Sequence, residues 1–153
     1  RFKLPQAHAL LSYIYSRPFA FKEYDALTKR MESARERKRY LLLGKALAEY
    51  DATLVGEEAG KAELVQFGKH KALAVNSSAK RHHSEVAHAL WKKRPPLSIV
   101  WRIERGAIQV SLRSDGTVDV GKLAGQFPGG GGHKAAAGFS VPLGKGFPWK
   151  WLT

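Results

Sequence analysis

The chain has 153 residues, of which 44% are hydrophobic and 25% charged, a balance that fits one ordinary globular domain with a small addition and excludes collagen-like, largely disordered and membrane-embedded classes. Cysteine is absent, which removes disulfides, thiolate zinc sites, iron–sulfur clusters and a cysteine nucleophile, and suits a reducing compartment. Lys and Arg number 26 against 13 Asp and Glu, for a formal net charge of +13, so the first partner to consider is a polyanion: nucleic acid, nucleotide or polyphosphate, with an acidic remainder of a larger protein as the alternative.

No apolar run is long enough to span a membrane, and no signal-peptide pattern stands at the start, so a cytoplasmic location is expected. The chain opens on Arg1, which reads as a fragment or processed product. Residues 6–16 spell a short apolar helix that stops ahead of Pro18. A longer helical stripe follows through Tyr24, Leu27, Met31, Ala34 and Leu41, and continues through Leu43, Leu47, Tyr50 and Leu54, with Gly44 as the expected bend. The opposite face holds Lys29, Arg30, Arg35, Arg37, Lys38 and Arg39 beside Glu32 and Glu36, the pattern of a solvated helix face that also offers contacts to phosphate.

From residue 62 the period shortens. Ala62–Phe67 and Lys71–Val75 read as two strands around Gly68-Lys69-His70, and Ser84 to Lys92 as a helix with Ser84 as its N-cap. Pro95-Pro96 ends that helix. Leu97–Ile103 is a β-branched and aromatic run suited to a buried strand, Arg105-Gly106 a turn, and Ala107–Arg113 a further strand. Val118–Gln126 fits a short helix, and the tail from Phe139, with its prolines and Trp149 and Trp151, an irregular cap. Helices and strands alternating without strict order predict an α/β fold with a mixed sheet.

The most informative stretch is Gly129-Gly130-Gly131-Gly132-His133-Lys134-Ala135-Ala136-Ala137-Gly138. Glycines let a backbone take positive φ and approach a ligand, and the alanine run after them favours a helix whose first N–H groups would face the loop. His133 and Lys134 would add donors at that end, making an anion cradle. It is neither a Walker loop nor a dinucleotide fingerprint, because the endings and spacings of those motifs are missing. Upstream, alternation along Val110–Arg113 sends Ser111 and Arg113 to one face, where the Arg113 fork would suit phosphate or carboxylate.

Ser111-Leu112-Arg113-Ser114 followed by Gly129-Gly130-Gly131-Gly132-His133-Lys134-Ala135-Ala136-Ala137-Gly138-Phe139 resembles the signature of the DHHA1 domain, the C-terminal half of DHH-family phosphoesterases. Val75-Asn76-Ser77 with Ser84-Glu85-Val86-Ala87, and the Pro95–Trp101 run, extend the likeness across roughly residues 62–142. The resemblance implies a mixed sheet of roughly five strands flanked by helices over 61–153, preceded by a helical arm over 1–60 that joins the two halves of the parent protein. It also implies that Arg113, Ser111, Gly130, Gly131, Gly132 and His133 bind the substrate. In that family the other half carries the Asp and His ligands of a two-manganese centre. The substrates range over short oligoribonucleotides, nucleotide phosphates, cyclic dinucleotides, single strands and polyphosphate.

The triplet behind the family's name is missing, since His82-His83 is preceded by Lys80-Arg81. A pair of divalent ions needs several bridging and terminal carboxylates, and the sequence offers no such cluster. The expected partners are therefore a short single-stranded nucleic acid or nucleotide, the catalytic DHH half of the same parent, and a second copy in a homodimer. No cofactor, metal ligand or catalytic residue is expected in this chain, and no hydrolysis by it alone. The competing reading is a non-catalytic nucleic-acid-binding domain, similar to the C-terminal domain of alanyl-tRNA synthetases; a folding or dimerisation domain is the third.

Overall fold

The computed structural model describes residues 6–78 and 80–152. The chain divides into two compact units between Leu54 and Val55. The first holds α1 (Ala7–Tyr15), α2 (Phe21–Met31) and most of α3 (Ala34–Gly60). Its helices pack through few large side chains: Ala9 and Tyr40 are its buried apolar residues, and the Tyr13 and Tyr40 rings meet at 4.8 Å. Gly44 is buried on α3, and the backbone of Ala9 approaches it so closely that a Cβ there would collide with the Ala9 carbonyl. The break in the long helical stripe accordingly falls at Glu32-Ser33 and not at Gly44. There the Glu32 and Ser33 N–H groups turn back to the carbonyls of Lys29 and Arg30, and the Ser33 carbonyl accepts from the Arg37 N–H at 2.9 Å, the tightening that closes one helix and opens the next. Phe19, Phe21 and Leu42 stay 88%, 84% and 70% exposed.

The second unit contains a seven-stranded sheet, formed by β1 (Glu63–Phe67), β2 (His70–Asn76), β3 (Leu97–Glu104), β4 (Ala107–Ser114), β5 (Gly131–His133), β6 (Ala136–Pro142) and β7 (Lys150–Trp151). Across the sheet the order is β5-β6-β4-β3-β2-β1-β7. Only β2 and β3 run parallel, and their connection carries α4 (His83–Lys93), as a parallel pair requires. The β3–β4 hairpin turns through Arg105 and Gly106, both at positive φ, which is what a two-residue connection between right-twisted strands needs.

Alternation divides the side chains between two layers. One face carries Val65, Ala72, Ile99, Trp101, Ile108, Val110, Leu112 and Phe139, covered by α5 (Val120–Ala124) and by Trp149. The other carries Val75 and Val100, covered by Val86, Ala87 and Leu90 of α4. Each fully buried Leu, Ile or Val here contributes roughly 1.5–3 kcal/mol, so these two layers, not the short edge strands, hold the unit together.

The sheet is wider than the five strands expected, because β5 and β7 add short strands at its two edges. Three local expectations are corrected. The alanine run after the glycines is no helix: His133 and Ala136 close a hairpin, and Ala136–Pro142 pairs with β4 along its length, so sheet pairing overrides the helical preference of alanine. The tail is not irregular from Phe139, which lies within β6, and Lys150 and Trp151 pair with β1. Helix α4 starts at His83, and Ser84, instead of capping it, accepts a hydrogen bond from Arg113.

Candidate functional site

Register places the motif residues in rows. Arg113 pairs with Ala136, which pairs with His133; Ser111 pairs with Gly138, which pairs with Gly131. Directly opposed residues in a ladder point to the same side. Arg113, Ser111, His133 and Gly131 therefore share one face of the sheet, floored between them by Ala136 and Gly138. This is the side that α4 covers, packing on β3, β4 and β2; beyond it Gly131 and His133 are exposed, and Ser111, Arg113, Ala136 and Gly138 are half-buried. The result is an open trough whose floor is small side chains and backbone.

Two interstrand steps separate Arg113 from His133, about 10 Å between Cα atoms at ordinary strand spacing. The Arg113 guanidinium leans to the α4 side, donating to Ser84 Oγ and to the Leu112 carbonyl, each at 3.2 Å. The two side chains thus bracket the trough from opposite edges.

The glycines divide by role. Gly132 sits at φ +147, where a Cβ would lie 2.5 Å from the Ala137 Cα, and a Cβ on Gly130 would strike the Ala124 carbonyl. Both are glycine because β5 packs tightly between β6 and α5, so their backbones, and not a widened loop, shape this end of the sheet. Gly131 has open space where its Cβ would be and belongs to the trough itself. Gly138 lets β6 close on β4, since a Cβ there would stand 2.9 Å from the Val110 carbonyl.

Sequence reasoning stopped at Ser111 and Arg113, although the same alternation puts Gln109 beside them. Gln109 pairs with Arg102 on one side and Ser140 on the other, and its amide donates to Ser140 Oγ at 3.1 Å. Arg102 is held in turn: its guanidinium donates to Glu104 Oε2 at 2.8 and 3.1 Å and, at 3.5 Å, to Nδ1 of His83, whose Nε2 donates to the Ser77 carbonyl at 2.7 Å. His83 is thereby a buried structural link between the end of β2 and the polar face. Among the described residues no group of three or more His, Asp or Glu is arranged to hold a metal ion. The two manganese ions that the family likeness implies do not fit any residue set described here.

A mixed α/β sheet covered by a helix at its centre and left open over a glycine- and alanine-floored edge defines a class of α/β domain with one accessible sheet face. Within that class the DHHA1 domain matches residues 71–147, and the chain belongs to the DHHA1 domain family. Oligoribonuclease NrnB of Bacillus subtilis (strain 168) is 37% identical over 82 residues, which cover 53% of this chain and 20% of that protein. The chain therefore spans about a fifth of that curated relative. Among solved structures, the pGpG-specific phosphodiesterase PggH from Vibrio cholerae aligns at 17% identity and a TM-score of 0.49, covering 67% of this chain and 38% of that one. An exopolyphosphatase-related protein from Bacteroides fragilis aligns at 18% and 0.47, over 69% and 37%.

Proposed function

We propose that this chain is the substrate-binding module of a DHH-family phosphoesterase, taking a short oligonucleotide or nucleotide and presenting its phosphate to a catalytic half that supplies the manganese centre. The observation that carries the reading is the trough between Arg113 and His133. A floor of Gly131, Gly138, Ala136 and Ser111 admits the sugar–phosphate backbone of a ligand closely. Arg113 offers paired donors to a phosphate from one edge, and His133 a ring nitrogen to a phosphate oxygen or base edge from the other. The relative named as an oligoribonuclease supports the substrate class.

In this reading the chain's residues bind and orient. Holding the scissile phosphate in one place lowers the entropic part of the barrier, and the bond is cleaved by groups outside the residues described. The test is equilibrium binding of adenosine 5′-monophosphate and a short oligoribonucleotide to the wild-type chain and to Arg113→Ala and His133→Ala. Each substitution is expected to weaken both ligands about tenfold or more, in line with the loss of a charge-assisted hydrogen bond. Unchanged affinity in both variants would refute the trough as the site. Affinity that grows steeply with strand length, together with indifference to His133, would favour the non-catalytic nucleic-acid-binding domain instead.

A further inference from the structure

Arg113 belongs to two surfaces. Its strand position faces the trough, while its guanidinium, anchored on Ser84, also lines a groove of about 580 Å³ along the outside of α4. Ser84, His88 and Trp91 stand at helical positions i, i+4 and i+7, one stripe of the helix. The core uses a different stripe of α4, Val86, Ala87 and Leu90, so packing does not require an aromatic pair on this one. His88 is exposed and Trp91 half-buried, and their rings meet edge to face at 4.9 Å. Lys92 and Arg113 bring two cations to the groove against the single carboxylate of Glu85, which lies in the first turn of α4, where the helix dipole favours a negative charge.

We infer that this groove is a second nucleotide position, in which a base stacks on Trp91 and His88 while Arg113 and Lys92 hold the phosphate linking it to the nucleotide in the trough. The inference rests on the trough reading and narrows it: the substrate is a short single-stranded oligonucleotide, not a mononucleotide and not polyphosphate, which has no base to stack. Three features carry it. The groove is continuous with the trough through one side chain. Its volume lies in the range of small-ligand sites, roughly 300–1,000 Å³. Its lining joins aromatic rings to cations, the pairing by which proteins hold single strands without reading sequence.

The test uses the purified chain with adenosine 5′-monophosphate, penta-adenylate and inorganic polyphosphate as probes, and the variants Trp91→Ala, Trp91→Phe and His133→Ala. Wild type is expected to bind penta-adenylate more tightly than the other two. Trp91→Ala is expected to weaken penta-adenylate about tenfold and leave the mononucleotide within about twofold, while Trp91→Phe, which keeps a ring and guards against a folding artefact, stays within about threefold for both. Equal affinity of Trp91→Ala and wild type for penta-adenylate overturns the groove, even where His133→Ala weakens both nucleotide probes and upholds the trough. Loss of penta-adenylate binding in Trp91→Ala with none in His133→Ala keeps the groove and removes the trough. A wild-type chain that binds no probe overturns both.

Discussion

Four consecutive glycines in one segment do different physical work, and substitution separates them. Gly132→Ala places a Cβ at φ +147 and 2.5 Å from the Ala137 Cα, where strain and overpacking together cost about 2 kcal/mol or more. A fall in the urea midpoint is the expected result, with binding lost only as a consequence of unfolding. Gly131→Ala meets open space, so its stability should stay within about 0.5 kcal/mol of wild type. The added methyl stands on the trough floor, and nucleotide affinity should drop in a protein that melts normally. Equal affinity in wild type and Gly131→Ala would show that no ligand crosses that floor.

At the scale of elements, Gly44 and Glu58 make α3 testable. Gly44→Ala drives a methyl into the Ala9 carbonyl, and a rigid backbone cannot yield as a side chain tip would. We expect a destabilisation of about 1–3 kcal/mol, seen as loss of helical signal from the first unit at lower denaturant while the sheet unit holds. Near the other end of α3, Lys61 donates to Glu58 at 2.6 Å, and this hydrogen bond holds the Glu58 carboxyl below its usual range. A carboxylate with a lowered pKa stabilises the fold above its unfolded value, near about 4.3, and that stabilisation fades as pH falls through the folded value. Wild type should therefore resist urea slightly better than Glu58→Gln at neutral pH, and the two curves should converge in acid. A gap that stayed constant from neutral to strongly acid pH would assign the effect to packing instead of charge.

On the scale of the whole molecule, a net charge of +13 attracts any polyanion, so affinity alone says little about specificity. Site binding and charge binding differ in their salt dependence: log K for a strand falls with log salt in proportion to the phosphates neutralised. Trough binding of a mononucleotide should show a shallow slope, and long strands a steep one. Among the described residues none of the helices is long and apolar enough to cross a membrane. For activity, we expect the isolated chain with manganese to hydrolyse neither a labelled oligonucleotide, nor a 3′-phosphorylated nucleotide, nor polyphosphate. Turnover that survives chelator washing and disappears in His133→Ala would place catalysis within this chain and overturn the binding-module reading.

Local chemistry made much of this protein legible in its sequence. Alternation in Ile108–Arg113 gave strand and facing together, Pro95-Pro96 marked the end of α4, and Arg105-Gly106 marked a hairpin that the positive φ values of both residues bear out. The glycine motif with the Ser111–Arg113 strand carried the resemblance to the family, and both lie within the residues that the DHHA1 domain matches. Other features were decided only by contacts between segments distant in the chain. Ala135-Ala136-Ala137 has a helical preference of its own, and β4, more than twenty residues earlier, drew Ala136 and Ala137 into a strand by offering a ladder of hydrogen bonds, with Ala135 left in the turn. Gly44 looked like a bend, and a close approach to α1 made it a packing residue. Trp91 carried no motif, and Ser84 was legible only as a helix cap; helix packing set both beside Arg113. Periodicity and turn chemistry act over a few residues and can be read along the chain, whereas register and close approach depend on which segments meet, and only the tertiary structure determines that.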